Sequence, residues 1–284
     1  MLLKTAFLSF ILLICPWALC YGQLSFLGVN GERGYSAVRG TYRWDLDNNF
    51  IFTPSYEFYR MSDNKEVEET GSTYRYGLKG SYDFSDAWQI YGQFYWQPRA
   101  VGNRACSGYG GVVWRPFYRK GWVKNPFLET RLGTVRYKTW VDKNGAALTQ
   151  PFGETEYNLL LRAGAEAGPW DLKASWHKVL QYKNQVPPTL SFNWADIPFM
   201  TAVVQGFLQN ATALHISYPT RLVTPFVSAA RYQYAASARP ATAVGAGLHI
   251  HYAETTFSGG VEVFEPRRED NRKTFFSVSV EVDF

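Results

Sequence analysis

Most of this chain consists of short segments in which apolar and polar side chains alternate, and this alternation restricts its possible folds more than any other feature. The segment STYRYGLKGSYDF, which starts at Ser72, is typical, since its apolar face consists of Tyr74, Tyr76, Leu78, Tyr82 and Phe84. A period of two is that of a β-strand with one apolar and one polar face. Because the pattern recurs up to the last residue, the sequence predicts an all-β protein.

The alternating segments are joined by connections of two kinds, which follow one another in turn. Short turns such as SDA, GPW and AET join the two strands of a hairpin. Longer polar stretches such as RMSDNKEVEETG and QYKNQVPPTLSFNWADIP separate one hairpin from the next. Short turns at one end and long loops at the other are typical of a transmembrane β-barrel, with a soluble β-sandwich as the alternative.

The physical chemistry of a membrane favours the barrel. In hydrocarbon every backbone N–H and C=O needs a partner within the protein, so a sheet crosses only when it closes and has no edge. Aromatic residues make up 17% of the chain, whereas charged residues make up 19%. Since Tyr and Trp concentrate at membrane interfaces, a barrel accounts for this aromatic excess. We therefore expect a transmembrane antiparallel β-barrel with a closed meander topology.

The number of strands follows from the parity of the turns. Counted back from the C-terminus, the pattern gives thirteen strands, and a barrel with both ends in the periplasm needs an even number. The segment LSFLGVN, from Leu24 to Asn30, supplies a first strand and makes fourteen. The segments TAVVQGFLQN and ALHISYP form either one strand or two, so twelve strands is the alternative.

The N-terminal residues are typical of an export signal. Lys4 is followed by the apolar run AFLSFILLIC, which is too short for the roughly 20 residues of a spanning helix. We therefore predict a signal peptide over residues 1–22 and a barrel over residues 23–284. Removal of this segment leaves Cys106 as the only cysteine and so no internal disulfide. The net charge of +5, without a basic run interleaved with aromatics, argues against a nucleic-acid partner.

The chain ends on the alternating segment FFSVSVEVDF. This segment resembles the C-terminal β-signal of Gram-negative outer-membrane proteins, with matching positions at Phe276, Val278, Val280, Val282 and Phe284. The resemblance is to the class and not to a specific subfamily. It implies location in the bacterial outer membrane, insertion by the barrel-assembly machinery, and contact with outer-membrane lipid and lipopolysaccharide.

Function in a barrel depends on the side chains that face its lumen. Alternation assigns seven basic residues to the inward face, namely Arg75, Lys79, Arg136, Lys138, Arg162, Lys173 and Arg231. It assigns seven acidic residues to the same face, namely Glu57, Asp83, Glu166, Asp171, Glu262, Glu281 and Asp283. Several of the acids lie near turns, whereas the bases lie deeper, and His249 and His251 add further polar groups. We regard the basic residues and these two histidines as candidate substrate-binding positions.

Two functions are compatible with such a lumen. A basic belt favours anions by electrostatic focusing, so the first is a porin-like channel for small or anionic solutes, including acidic saccharides. The second is a non-conducting barrel, plugged by paired charges, that acts as a structural part of an envelope or polymer-export complex with a protein partner.

An enzyme is a third possibility, with weaker support. The pair His215 and Ser217 resembles the His-x-Ser pair of outer-membrane lipid hydrolases, but Leu214, Ile216 and Tyr218 claim the lipid face and turn the pair inward. Two histidines do not define a metal site. We therefore expect no catalytic residues, no metal and no cofactor.

Overall fold

The computed structural model describes residues 22–31, 36–46, 49–61, 71–100, 103–116, 122–141, 147–182, 208–234, 240–265 and 272–284. These residues form fourteen antiparallel strands in one closed barrel, in which each strand pairs with its sequence neighbours and β1 pairs with β14. The closed meander predicted from the sequence is therefore confirmed. No helix in these ranges is long and apolar enough to cross a membrane.

The strands differ in length, and the longest are β7 and β8. In chain order they are β1 Gly22–Gly31, β2 Ser36–Asp45, β3 Phe50–Met61, β4 Gly71–Ser85, β5 Trp88–Ala100, β6 Asn103–Trp114, β7 Val123–Val141, β8 Ala147–Ala167, β9 Trp170–Tyr182, β10 Leu208–Ser217, β11 Val223–Tyr234, β12 Ala241–Tyr252, β13 Thr255–Glu265 and β14 Lys273–Asp283.

The strand count of fourteen agrees with the larger of the two predicted numbers. The predicted first strand LSFLGVN lies within β1, and β10 is a single strand, LQNATALHIS, that joins parts of two named segments. The strand β2 was not among the segments identified from the sequence. Its outward face has Gly40 in place of an apolar side chain and its inward face begins with Ala37, so the contrast between the two faces is weak.

The barrel closes where its two terminal strands meet. Gln23 lies opposite Asp283, Gly31 lies opposite Phe275, and the backbone N–H of Phe284 donates to the carbonyl of Gly22 at 2.8 Å. The strand β14 is thus paired along both edges, with β13 and with β1. Gly22, which the sequence assigned to the signal peptide, is the first residue of β1. The remaining signal residues lie outside the described ranges, so the signal peptide stays a prediction.

The two ends of the barrel differ in their connections. One end carries both terminal strand ends and six connections, namely Asp45 to Phe50, Ser85 to Trp88, Ala167 to Trp170, Tyr252 to Thr255, Trp114 to Val123 and Ser217 to Val223. In the third of these, Gly168 adopts a φ of 60°, a conformation that glycine takes without strain. We call this end the turn end and the opposite end the loop end. In barrels of this type short turns lie in the periplasm, so the loop end is extracellular.

The outer surface carries an apolar belt formed by alternate residues of every strand. Seven representative side chains in it are between 43% and 65% exposed, namely Leu78, Ile90, Phe94, Leu132, Leu214, Val244 and Val278. Toward the turn end the belt is bordered by aromatic rings, with Trp88 and Trp114 stacked at 6.0 Å and Trp170 against Tyr218 at 5.0 Å. Such an arrangement is the lipid-facing surface of a membrane barrel with its interfacial girdle.

The pairing of β1 with β14, which we call the seam, predicts that a change at Phe284 strongly affects membrane insertion. The Phe284 side chain is 59% exposed on the outer face. Replacement of Phe284 with Asp places a carboxylate at the lipid interface beside the closing strands, so we expect reduced insertion into the outer membrane. The matched control is Asp283→Ala, which alters the inward face of the same strand. Insertion is measured by membrane fractionation and by heat-modifiable mobility on gels. Equal insertion of the two variants would contradict this role of the seam.

Candidate functional site: the barrel lumen

The lumen is divided into two halves that differ in accessibility. In the half toward the loop end, which we call the loop half, inward side chains are buried almost completely, including Val135, Glu156, Leu208 and Tyr232. In the half toward the turn end, which we call the turn half, many inward side chains of β1, β2, β12 and β14 are half-buried, such as Gln23, Thr41, His249, Ser279 and Glu281. Along β1, β2, β12 and β14 the interior is therefore more accessible toward the turn end than toward the loop end.

The buried inward side chains of the loop half are tyrosines, small apolar residues and carboxylates, among them Glu156. Glu156 accepts hydrogen bonds from the Tyr137 hydroxyl at 3.1 Å and from the Asn158 amide at 2.9 Å. On the opposite wall the buried ring of Tyr232 packs 5.8 Å from that of Phe264. Because these inward side chains are buried, the loop half has little accessible interior surface at their positions.

A band of five cations extends along the wall formed by β2 to β8. Its members, which we call the basic band, are Arg39, Arg75, Lys79, Arg131 and Arg162. Two carboxylates hold three of them. Arg75 contacts Glu57 at 2.6 Å, Arg39 contacts the same carboxylate at 2.8 Å, and Arg162 contacts Glu129 at 2.8 Å. Glu57 and Arg75 are both buried, so their ion pair is screened little by water.

Aromatic rings connect the members of the basic band. The guanidinium of Arg75 lies 4.3 Å from the ring centre of Tyr95, and that of Arg131 lies 4.5 Å from Tyr109. The ammonium of Lys79 lies 4.4 Å from the ring centre of Tyr91. These separations are within the range of cation–π attraction. The rings therefore orient the cations along the wall as well as filling the space beside them.

Hydrogen bonds complete the same network. The Tyr91 hydroxyl donates to Glu129 at 2.5 Å, Arg131 donates to Gln93 at 3.4 Å, and Gln93 in turn donates to the Tyr95 hydroxyl. The Tyr59 hydroxyl donates to Glu57. These contacts thus join guanidinium, ammonium, phenol and carboxylate groups into one preorganised network on the inward face of β2 to β8, in which Arg75 and Arg131 are buried.

Carboxylates predominate nearer the turn end. Lys173 contacts Asp171 at 2.6 Å, and Arg115 contacts Asp83 at 3.2 Å. Glu166 accepts a hydrogen bond from the Asn125 amide at 2.7 Å. Glu281 and Asp283 are both bonded by the Gln23 amide, at 2.9 and 2.8 Å. Among the predicted acids, Glu57 and Glu262 are the ones that lie deep in the lumen and are buried.

Histidines occupy the wall across from the basic band, in the turn half. The Phe226 ring stacks between His215, at 5.3 Å, and His249, at 4.7 Å. His249 is hydrogen-bonded to Ser258 at 2.7 Å, and His251 to Thr224 at 3.0 Å and Thr256 at 3.1 Å. In the ranges described, no group of three or more His, Cys, Asp or Glu side chains could hold a metal ion. The rings are thus engaged with hydroxyl groups and with Phe226.

Three of the seven basic residues assigned to the lumen lie on the outer face instead. Arg136 and Lys138 are exposed, whereas their neighbours Val135 and Tyr137 are buried in the lumen. Arg231 is also exposed, between the buried Ala230 and Tyr232. Near the loop end the strands extend past the hydrocarbon, so an outward position there no longer has to be apolar. The assignment of these three residues to the lumen, which rested on their polarity, is therefore wrong.

Two members of the basic band, Arg39 and Arg131, were missed from the sequence. Arg39 lies on β2, which was not recognised as a strand. Arg131 shares the inward phase of Glu129 on β7, and the outward Leu128 and Leu132 indicate that phase. A strict period of two counted from these leucines would have placed Arg131 inward and Arg136 outward.

The pair His215 and Ser217 faces the lumen, as the alternation of β10 predicts. The residues between and beside them, Leu214 and Ile216, are 56% and 40% exposed on the outer face, and Ser217 is buried. A lipid substrate reaches a barrel from its outer surface. The pair is therefore turned away from the substrate of the lipid hydrolases that it resembles.

Loss of a buried carboxylate in this network is predicted to destabilise the barrel. Glu57→Gln leaves the buried Arg75 without its anionic partner, so we expect a loss of about 3–5 kcal/mol in the free energy of unfolding. The control is Asp45→Asn, which disrupts the exposed pair of Arg43 and Asp45 and costs about 1 kcal/mol or less. Both values are measured by urea unfolding of the barrel in lipid vesicles. Equal losses would contradict the distinction between buried and exposed pairs.

Comparison with known proteins relates the fold to solved barrels. The sequence matches no family model and no curated protein. A bacterial polysaccharide outer membrane secretin superposes with a TM-score of 0.53 at 12% identity, covering 93% of this chain and 98% of that one. The CymD monoaromatic hydrocarbon channel superposes with a TM-score of 0.52 at 10% identity, covering 93% of this chain and 88% of that one.

CdiB from Acinetobacter baumannii has a TM-score of 0.50 at 9% identity, and the match covers 93% of this chain but 60% of CdiB. At these identities the likeness extends to the fold. The chain shares its closed fold with these structures and has an apolar outer belt. It is therefore a β-barrel protein of the bacterial outer membrane.

Proposed function

We propose that the protein is an outer-membrane channel for small anionic solutes, including acidic saccharides. The observation that carries this proposal is the basic band, five cations held in place on one wall of a closed barrel. Preorganised guanidinium groups bind carboxylates and other oxyanions with two parallel hydrogen bonds. A wall that presents several of them gives an anionic solute successive contacts along its path.

The tyrosines that lie beside the basic band favour saccharides among the possible anionic solutes. Sugar rings have apolar faces that pack on aromatic rings, while their hydroxyl and carboxyl groups accept hydrogen bonds from arginine. Tyr91, Tyr95 and Tyr109 lie beside Lys79, Arg75 and Arg131, so both kinds of contact become available within one stretch of wall when a solute displaces the groups that bury these rings. One of the solved structures of the same fold is that of a polysaccharide secretin.

Passage through this barrel requires the loop half to open. The inward side chains there are buried, so a conducting state needs them to move apart or to exchange their contacts. The channel that we propose is therefore gated toward its extracellular side. The carboxylates near the turn end lie on the periplasmic side of the basic band and repel an anion, so they form an electrostatic barrier between the band and the periplasm.

A non-conducting structural or export-associated barrel is the second candidate. The closed loop half is the observation that favours it, because a permanently filled lumen conducts nothing. An enzymatic role has no support from the inward position of His215 and Ser217. Recording of single channels in planar bilayers separates the two main candidates, since a barrel that stays silent at all voltages belongs to the second.

Selectivity provides the test of the basic band. Arg131→Gln removes an inward cation from β7, whereas Arg136→Gln removes an outward cation from the same strand. We expect the first variant to lower the anion-to-cation permeability ratio by about twofold or more and the second to leave the ratio unchanged. The ratio is obtained from reversal potentials in a salt gradient. Cation selectivity of the unmodified protein, or equal ratios for both variants, would refute an anion channel.

Conductance provides the test of the closed loop half. Tyr232→Ala removes a side chain that is fully buried in the lumen, so we expect a larger conductance or a higher open probability. The matched control is Tyr157→Ala, which removes an exposed tyrosine from the outer face. Heat-modifiable mobility confirms that each variant is folded before recording. An unchanged conductance for Tyr232→Ala would show that the obstruction lies elsewhere.

A further inference from the structure

Cations on the outer face are confined to one end of the barrel. Among the strand residues that the structure describes, six outward positions are basic, namely Arg60, Arg104, Arg136, Lys138, Lys178 and Arg231. Each lies within five residues of the loop end of its strand. In the same ranges the acidic outward residue is Glu265, whose carboxylate contacts Arg272 at 3.3 Å. The outer face thus has a positive girdle at the loop end.

The densest part of this girdle lies on two adjacent strands. Arg104 on β6 is directly opposite Lys138 on β7, and Cys106 is opposite Arg136, so the three cations are neighbours on one face. All three are exposed. The ammonium of Lys138 lies 5.4 Å from the ring centre of Trp140, an arrangement that fits a side chain held at a membrane interface. We call Arg104, Arg136 and Lys138 the outer patch.

On the outer face, the described strand residues that border the outer patch include no carboxylate; Glu154, which lies opposite Tyr137, is on the lumen face. On β8, Thr155 pairs with Arg136 and Gly153 pairs with Lys138. None of the three cations has an ion-pair partner in the described part of the chain. Three like charges repel one another, so an anion bound beside them lowers the energy of this arrangement. The lumen cannot supply that anion, because the patch lies on the opposite face of the sheet.

The position of the patch identifies the kind of anion. Charged side chains are costly in hydrocarbon, so these cations lie beyond the apolar belt, at the level of the lipid headgroups on the extracellular side. Arginine and lysine bind phosphate strongly, and basic clusters at this level bind phosphorylated headgroups. We propose that the outer patch is a binding site for the phosphate groups of lipid A, the phosphorylated disaccharide lipid of the outer leaflet.

The site is independent of conduction, because none of its residues lines the lumen. It binds a structural lipid at a fixed position on the β6–β7 surface, where the long strands β7 and β8 extend past the apolar belt. A lipid held there covers the exposed edge of the extension and anchors the barrel at the correct depth in the membrane. The channel proposal and this proposal can therefore fail separately.

The test compares two double variants matched in charge and residue type. Arg136→Gln with Lys138→Gln removes two cations from the outer patch, whereas Lys124→Gln with Arg221→Gln removes one lysine and one arginine near the turn end. The probe is lipid A with two phosphates, titrated onto the full-length barrel in detergent. We expect about twenty-five-fold weaker binding for the first variant, roughly fivefold for each cation, and no change for the second.

Two further titrations complete the design. Addition of Arg104→Gln to the first variant should weaken binding by about a further fivefold. Dephosphorylated lipid A should bind the unmodified protein as weakly as the phosphorylated lipid binds the patch variant. Equal affinity of the two double variants, undiminished binding of the dephosphorylated lipid, or equal competition by inorganic phosphate at the same concentration would each overturn the proposal. Heat-modifiable mobility verifies that every variant is folded.

Discussion

The closure of β1 onto β14 is the contact on which the rest of this structure depends. A sheet in hydrocarbon cannot leave a row of N–H and C=O groups without partners, and the last strand supplies partners to the first along their whole length. Once the sheet is closed, each strand has one face toward lipid and one toward the lumen. The apolar belt, the basic band and the outer patch are all consequences of that division, since they differ only in the face and the height at which side chains lie.

The fold was predictable because this division has a period of two, and lipid requires the outer face to be apolar through the whole hydrocarbon. Strands with a strong outer face, such as β4 and β5, could be recognised from the sequence with their inward residues. The strand β2 was missed because Gly40 interrupts its outward apolar face and Ala37 lies on its inward face, which weakens the contrast between the faces. The signal peptide, whose residues lie outside the described ranges, remains a prediction.

The lumen was predictable in part, and the errors have a common physical cause. Six predicted residues lie on inward positions, at heights where the outward neighbours on the same strand must be apolar. They are Arg75, Lys79, Arg162, Lys173, His249 and His251. Arg136, Lys138 and Arg231 lie nearer the loop end, where lipid tails no longer impose that requirement. The contacts that hold the basic band could not be read from the sequence. Glu57 and Arg75 are distant in the chain and meet only through the register of β3 and β4.

The inward and outward cations of β7 show that the same residue type has different functions on the two faces of one strand. Arg131 and Arg136 are five residues apart, so they face opposite sides of the sheet. Arg131 lies over the ring of Tyr109 and donates to Gln93, within a network that fixes its guanidinium toward the lumen. Arg136 lies on the outer face near the loop end, where no ion-pair partner is found among the described residues. A slip of one residue in the register of β7 would exchange these environments, so the same strand register sets both the charge of the lumen and the charge of the outer surface.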